Sequence, residues 1–273
     1  MPPRGSSATT GGTTPERLWI GTSWKMNKLG ADARAWADTL TENLSEDVLE
    51  RVQPFVIPSF TAISPVVQSL GGRSPVLVGA QNAHWEDSGA WTGEISVPQV
   101  KDAGASIVEI GHSERRTHFG ETIETTRWKV EAAIRHGMRP LLCIGEPEDI
   151  KAAGQSAEYI LEQAHGALDG LTEPELGKVL IAYEPMWAIG DAGRPPRTEE
   201  LVEAFAALGN EYDHRVEALL YGGSVTVDNA AQLLSLDHVG GLFVGRTAWD
   251  VQGYLELFRI AEAHRRSSAD GLS

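Results

Sequence analysis

The chain has 273 residues, 41% of them hydrophobic, and a formal net charge of −15. It can bury a large core, and its acidity argues against nucleic acid and anionic membranes as partners while leaving room for a local cationic pocket that takes a small anion. Cys143 is the one cysteine, no apolar run approaches membrane-spanning length and the opening residues hold no leader-like apolar stretch, so no disulfide framework, cysteine metal cluster, transmembrane helix or secretory signal is expected, and a cytoplasmic location is.

Residues 1–16 are rich in Gly, Ser, Thr and Pro, which reads as a disordered tail. Residues 267–273 read the same way, leaving 17–266 as one domain. Within it, short apolar runs predict strands at Leu18–Thr22, Pro54–Ile57, Val76–Ala80, Ser106–Ile110, Arg139–Ile144, Lys178–Tyr183, Ala218–Tyr221 and Gly241–Val244. Near-continuous apolar runs suit parallel strands covered on both faces. Amphipathic stretches between them, such as Asp32–Leu44, Glu121–His136, Ala157–Leu168 and Glu199–Leu208, predict helices. The alternation gives a parallel α/β architecture. Counting does not separate a closed (β/α)8 barrel from an open sheet. The chemically interesting residues follow strands one, four, six, seven and eight, and a closed barrel brings those ends to one mouth.

Three segments carry the chemistry. In Ala182–Gly190, Glu184 ends a strand and is a candidate general base, with Pro185–Gly190 and Gly193 as a lid and its hinges. Such a carboxylate can move a proton between neighbouring carbons while the lid excludes water. The plainer reading is a strand-to-loop boundary. In Gly111–Arg116, His112 precedes Ser113 and Glu114, which can open a helix. A helix N-terminus disfavours an imidazolium, so the neutral ring can polarise a carbonyl. A capping or packing histidine is the alternative. Glu114 is expected near Lys25 or the substrate, and Arg115 and Arg116 as scaffold. In Ser23–Asn27, Lys25 can neutralise a phosphate and a developing enediolate, or form a Schiff base as an aldolase does. A surface lysine is the third reading, weakened by Trp24 and Met26, which look partly buried. Glycines in Tyr221–Val225 and Gly240–Arg246 allow backbone N–H groups to approach an anion. No metal-ligand pattern and no dinucleotide or P-loop fingerprint is present.

Together these segments strongly resemble the triosephosphate isomerase family, over about Leu18–Phe258. The resemblance implies a single (β/α)8 TIM barrel, a cofactor-free isomerisation of a phosphorylated small sugar through an enediolate, and a homodimer. By the role split established for triosephosphate isomerase itself, Glu184 is the base, His112 the electrophile and Lys25 the electrostatic residue. Ser23, Ser113, Glu114 and Cys143 would support them, Cys143 by standing behind Glu184. Gly190, Ser224 and Gly245 would bind phosphate through backbone N–H groups. The segment Gln81–Glu94 resembles the family's dimer loop, in which Thr92 would reach the neighbouring subunit's site.

The sequence also departs from the usual family pattern. Ser23 replaces an asparagine, Arg246 replaces a second glycine, and the lid's hinge is Asp191-Ala192-Gly193. Gly21–Lys25, Ala83–Trp85 and Gly241–Arg246 resemble the erythrulose-phosphate isomerase branch. That resemblance implies conversion of L-erythrulose 1-phosphate to D-erythrulose 4-phosphate; the alternative is glycolytic interconversion of dihydroxyacetone phosphate and glyceraldehyde 3-phosphate. Ser23, shorter than asparagine, is expected to free room for the added hydroxymethyl group. Arg246 is expected either to brace the phosphate or to pair with an acidic neighbour on the rim.

Overall fold

The computed structural model describes residues 17–71, 74–190 and 193–270. The 1–16 tail, residues 271–273 and hinge residues Asp191 and Ala192 lie outside the described residues. Eight parallel strands close into a barrel in sequence order. They are β1 (Leu18–Ser23), β2 (Val52–Ile57), β3 (Leu77–Ala80), β4 (Ile107–Ile110), β5 (Arg139–Ile144), β6 (Leu180–Tyr183), β7 (Ala218–Tyr221) and β8 (Gly241–Val244). Closure is made by β1 against β8, with Trp19 opposite Gly241 and Thr22 opposite Val244.

Alternation along each strand divides two apolar clusters. Trp19, Phe55, Ile57, Ile107, Leu141 and Phe243 are among those that fill the barrel interior. Ile20, Val56, Val108, Ile110, Leu142 and Leu242 belong to the larger cluster that includes the helix faces. Ser23 and Glu109 share the parity of Trp19 and Ile107, so they occupy the interior near the C-terminal rim.

The predicted strands all form, three with the expected bounds and five with one end shifted by one or two residues. The predicted helices are found at Gly30–Asn43, Ile123–Arg135 and Ser156–Leu168. The stretch from Glu199 divides into a short 3-10 turn, Thr198–Glu200, and the helix Val202–Tyr212. The last helix, Val251–Asp270, continues past the expected domain end at 266. Adding residues to an established helix costs far less than nucleating one, so a polar, Ser-containing run is carried along. No helix among the described residues is long and apolar enough to cross a membrane.

Candidate active site

Lys25 lies two residues beyond β1 in a left-handed conformation, φ 51°. A non-glycine residue held there is strained, by about 1 kcal/mol. Gln81 braces the turn: its Nε2 donates to the Lys25 carbonyl at 2.9 Å and to the Ile57 carbonyl at 3.2 Å. Trp24, expected to be partly buried, is fully buried, but Met26 is 97% exposed. The expectation that both flanks of Lys25 are covered therefore holds on one side only, because the turn at Lys25 sends the next residue outward.

The Lys25 ammonium bonds Glu114 Oε1 at 2.6 Å. Burial works to lower the Lys25 pKa, but the Glu114 carboxylate, with Glu184 and Glu109 behind it, raises it on balance. An ammonium held charged suits electrostatic work and is the wrong state for Schiff-base attack.

His112 is positioned by the residue before it. Gly111 has φ +76°, and a Cβ there would lie 2.6 Å from Arg116 Nη2. Its N–H donates to Glu121 Oε1 at 2.8 Å, and its carbonyl accepts from Arg116 Nε at 2.7 Å. Glu121 Oε2 accepts in turn from Arg115 and Lys129, both at 2.8 Å. The two arginines are scaffold, as expected.

His112 caps the helix Ser113–His118, and Nδ1 accepts the Glu114 N–H at 3.1 Å. That bond assigns the neutral tautomer with the proton on Nε2. Nε2 lies 3.7 Å from Glu184 Oε2.

Glu184 is 4% exposed, and its Oε2 has no hydrogen-bond partner among the described residues. Its N–H bonds the Ile144 carbonyl at 2.7 Å. Two glycines make its place. A Cβ on Gly222 would lie 2.6 Å from Glu184 Cγ, and one on Gly145 would lie 2.0 Å from its carbonyl oxygen. The buried Cys143 thiol is pushed well above its ordinary value, first by burial and then by the Glu184 and Glu109 carboxylates. It stands in the interior as a neutral group.

These residues meet in one cavity of about 410 Å³. Ser23, Lys25, His112, Glu114 and Glu184 line it, together with Gly190, Ser224, Gly245 and Arg246. A cation and a neutral N–H donor thus face a buried carboxylate, beside a wall of small residues whose backbone an anion can approach. Arg246 Nη2 donates to the Gly190 carbonyl at 3.4 Å, which puts the guanidinium between the exit of β8 and the lid. Ser113 and Cys143 are buried behind the cavity and do not line it, and Thr92 is exposed elsewhere. Among the described residues no group of three or more His, Cys, Asp or Glu is arranged to hold a metal ion.

Two sets of functional neighbours escape sequence reading. Trp187, in the lid, donates from Nε1 to Glu146 Oε1 at 2.9 Å, and Lys151 lies 3.3 Å from its ring. Lys151 and Arg194 both bond Glu200, at 2.7 and 2.6 Å, tying the lid to the following turn. Nothing local in the sequence marks Glu146, Lys151 or Glu200 as partners. Glu109 is different. It is an acid within an otherwise apolar strand, 3% exposed, and it accepts from Ser23 Oγ at 2.8 Å. Burial pushes its carboxyl up to about 7, against the lowering influence of His112 and with Glu184 adding to the rise. The charged residue in a buried run was the available signal.

The model of the triosephosphate isomerase family matches residues 18–261. The chain belongs to the triosephosphate isomerase family. A triosephosphate isomerase from Bartonella henselae, known from a crystal structure, superimposes with a TM-score of 0.78 at 31% identity, covering 89% of this chain and 98% of that one. Higher identity is found to two other family proteins. The L-erythrulose-1-phosphate isomerase of Mycolicibacterium smegmatis is 60% identical over 253 residues, spanning 93% of this chain and 96% of its own. That of Rhizobium rhizogenes is 47% identical over 261 residues, spanning 93% and 98%. Barrel, closure and family membership thus agree with the expectation from the motifs, and the protein is a sugar-phosphate isomerase.

Proposed function

We propose that this enzyme isomerises L-erythrulose 1-phosphate to D-erythrulose 4-phosphate. Glu184 takes the proton from C3, next to the C2 carbonyl. The electron pair moves to O2, giving an enediolate. The hydroxyl proton passes from O3 to O2, the carbon-bound proton is returned to C2, and the carbonyl re-forms at C3. Counted from the other end of the chain, the phosphate is then on C4. The Nε2–H of His112 bonds the oxygens that gain charge, and Lys25 offsets that charge. The backbone of Gly190, Ser224 and Gly245 receives the phosphate, with Arg246 across from it.

The observation that carries the chemistry is the unpartnered, buried Glu184 Oε2 facing the His112 Nε2–H at 3.7 Å. The four-carbon substrate is supported by 60% identity to an enzyme of that name and by Ser23 on the cavity wall. Assay of the purified protein on L-erythrulose 1-phosphate tests the reading. Borohydride trapping of substrate on Lys25 would support an aldolase instead.

The active form in this reading is a homodimer. Met26 and Leu29 are 97% and 78% exposed beside the site, and Trp91, next to Thr92, is 49% exposed. Large apolar side chains left exposed at these positions suit a protein partner. Sedimentation at assay concentration distinguishes dimer from monomer, and Thr92→Ala should then lower turnover. A phosphorylated sugar does not diffuse across membranes, which favours the cytoplasm as the place of action.

A further inference from the structure

Glu109 is a buried acid of the barrel interior that the isomerisation steps leave unused. It projects inward from β4, one interior position above Ile107, beneath the rim that carries His112. Its titratable neighbours are His112, Lys25 and Glu184. Among the described residues its one hydrogen-bond partner is the Ser23 hydroxyl, at 2.8 Å. Ser23 lines the cavity, whereas Glu109 does not. A carboxyl placed in an apolar barrel is costly unless something requires it. An apolar side chain would fill the same position in continuity with Ile107, Leu141 and Phe243. The carboxyl engages the one hydrogen that Ser23 Oγ has to donate. The lone pairs left on Ser23 Oγ, a residue that lines the cavity, are then available to accept from a group bound there.

We propose that Glu109 and Ser23 together form the subsite for the terminal hydroxymethyl group of a four-carbon ketose phosphate, Ser23 Oγ accepting from the substrate's C4 hydroxyl and Glu109 orienting it. This rests on the four-carbon reading above and goes further by naming the polar partner of the extra carbon. In that role Glu109 is a positioning residue and Ser23 the contact. A three-carbon substrate has no group to place there, so the pair contributes to one substrate and not the other. Sites built to bond a particular hydroxyl discriminate by more than apolar fit alone can supply.

The test compares wild type with Glu109→Leu and Glu109→Gln on L-erythrulose 1-phosphate and on dihydroxyacetone phosphate. It includes the inhibition constant for glycerol 3-phosphate, which carries the phosphate and three carbons only. Glu109→Leu should lose on the order of tenfold in kcat/KM for the four-carbon substrate, about one neutral hydrogen bond. Its glycerol phosphate constant should stay within about threefold, which shows an intact cavity. Glu109→Gln should recover most of the loss, because its amide oxygen accepts the same Ser23 hydrogen. Equal loss on both substrates, or no loss in Glu109→Leu, overturns the assignment while leaving the four-carbon reading in place. A wild type that prefers the triose overturns both.

Discussion

Glu184 Oε2 sits 3.7 Å from His112 Nε2, and the two side chains come from different strands, β6 and β4. Neither is held by the other. The Glu114 N–H fixes the imidazole tautomer, while Gly145 makes room for the Glu184 backbone and Gly222 for its side chain. The barrel brings together a carboxylate and an imidazole that are separately held, which suits the roles of base and electrophile proposed for them.

If Glu184 is the base, shortening it by one methylene removes the carboxylate from reach without removing its charge. Glu184→Asp should lower kcat by about a hundredfold or more, with KM changed by less than about threefold. Steady-state kinetics on the preferred substrate measures this, and near-normal turnover would take Glu184 out of that role.

Gly222 offers a subtler probe of the same carboxylate. An alanine Cβ there would meet Glu184 Cγ at 2.6 Å and Oε1 at 3.1 Å. The Gly222 N–H is tied to the Tyr183 carbonyl at 2.8 Å, so Glu184 must move. Gly222→Ala should fold, at a cost of about 1–3 kcal/mol in urea unfolding, yet lose on the order of tenfold in kcat. Full activity would mean that the carboxylate position is not critical.

Ser23 is 4% exposed and lines the cavity. Asparagine there adds volume on the side where a fourth carbon would lie. Ser23→Asn should shift the four-carbon to three-carbon ratio of kcat/KM by about tenfold towards the triose. An unchanged ratio would remove Ser23 from substrate choice.

Glu109 also makes a prediction about stability. Its carboxyl is raised from 4.5 to about 7 in the fold, mainly by burial. A group whose folded pKa lies above its unfolded value supports the fold fully below pH 4.5, and that support is lost as pH rises to about 7. The loss should approach about 3 kcal/mol and stay constant above that pH. Glu109→Gln cannot ionise, so its stability relative to wild type should climb by that amount between pH 4.5 and 8. Urea unfolding of both proteins across that range checks it. A constant difference would mean that Glu109 does not titrate in this window.

Much of this architecture is legible because the reactive residues stand at strand ends. Apolar runs at Leu18, Ser106 and Lys178, each followed by a polar residue of specific chemistry, give strand, exit and role in one reading. Residues that act from a distance in sequence are not legible in that way. Glu200 holds Lys151 and Arg194 against the lid through a fold that no local pattern encodes. Gln81 stands in the segment read as a dimer loop, yet its side chain braces Lys25. Met26 misleads because apolar type argues for burial, while the left-handed turn at Lys25 turns it out. The C-terminal residues mislead in the opposite sense, since polar composition does not stop a helix already under way.

The most direct measurement is a side-by-side isomerisation assay of the purified protein on L-erythrulose 1-phosphate and dihydroxyacetone phosphate at matched concentrations. A kcat/KM at least about a hundredfold higher for the four-carbon substrate is the expected result. Equal or greater efficiency on the triose would contradict it and make the protein an ordinary triosephosphate isomerase, with Ser23, Glu109 and Arg246 tolerated changes around an unchanged reaction.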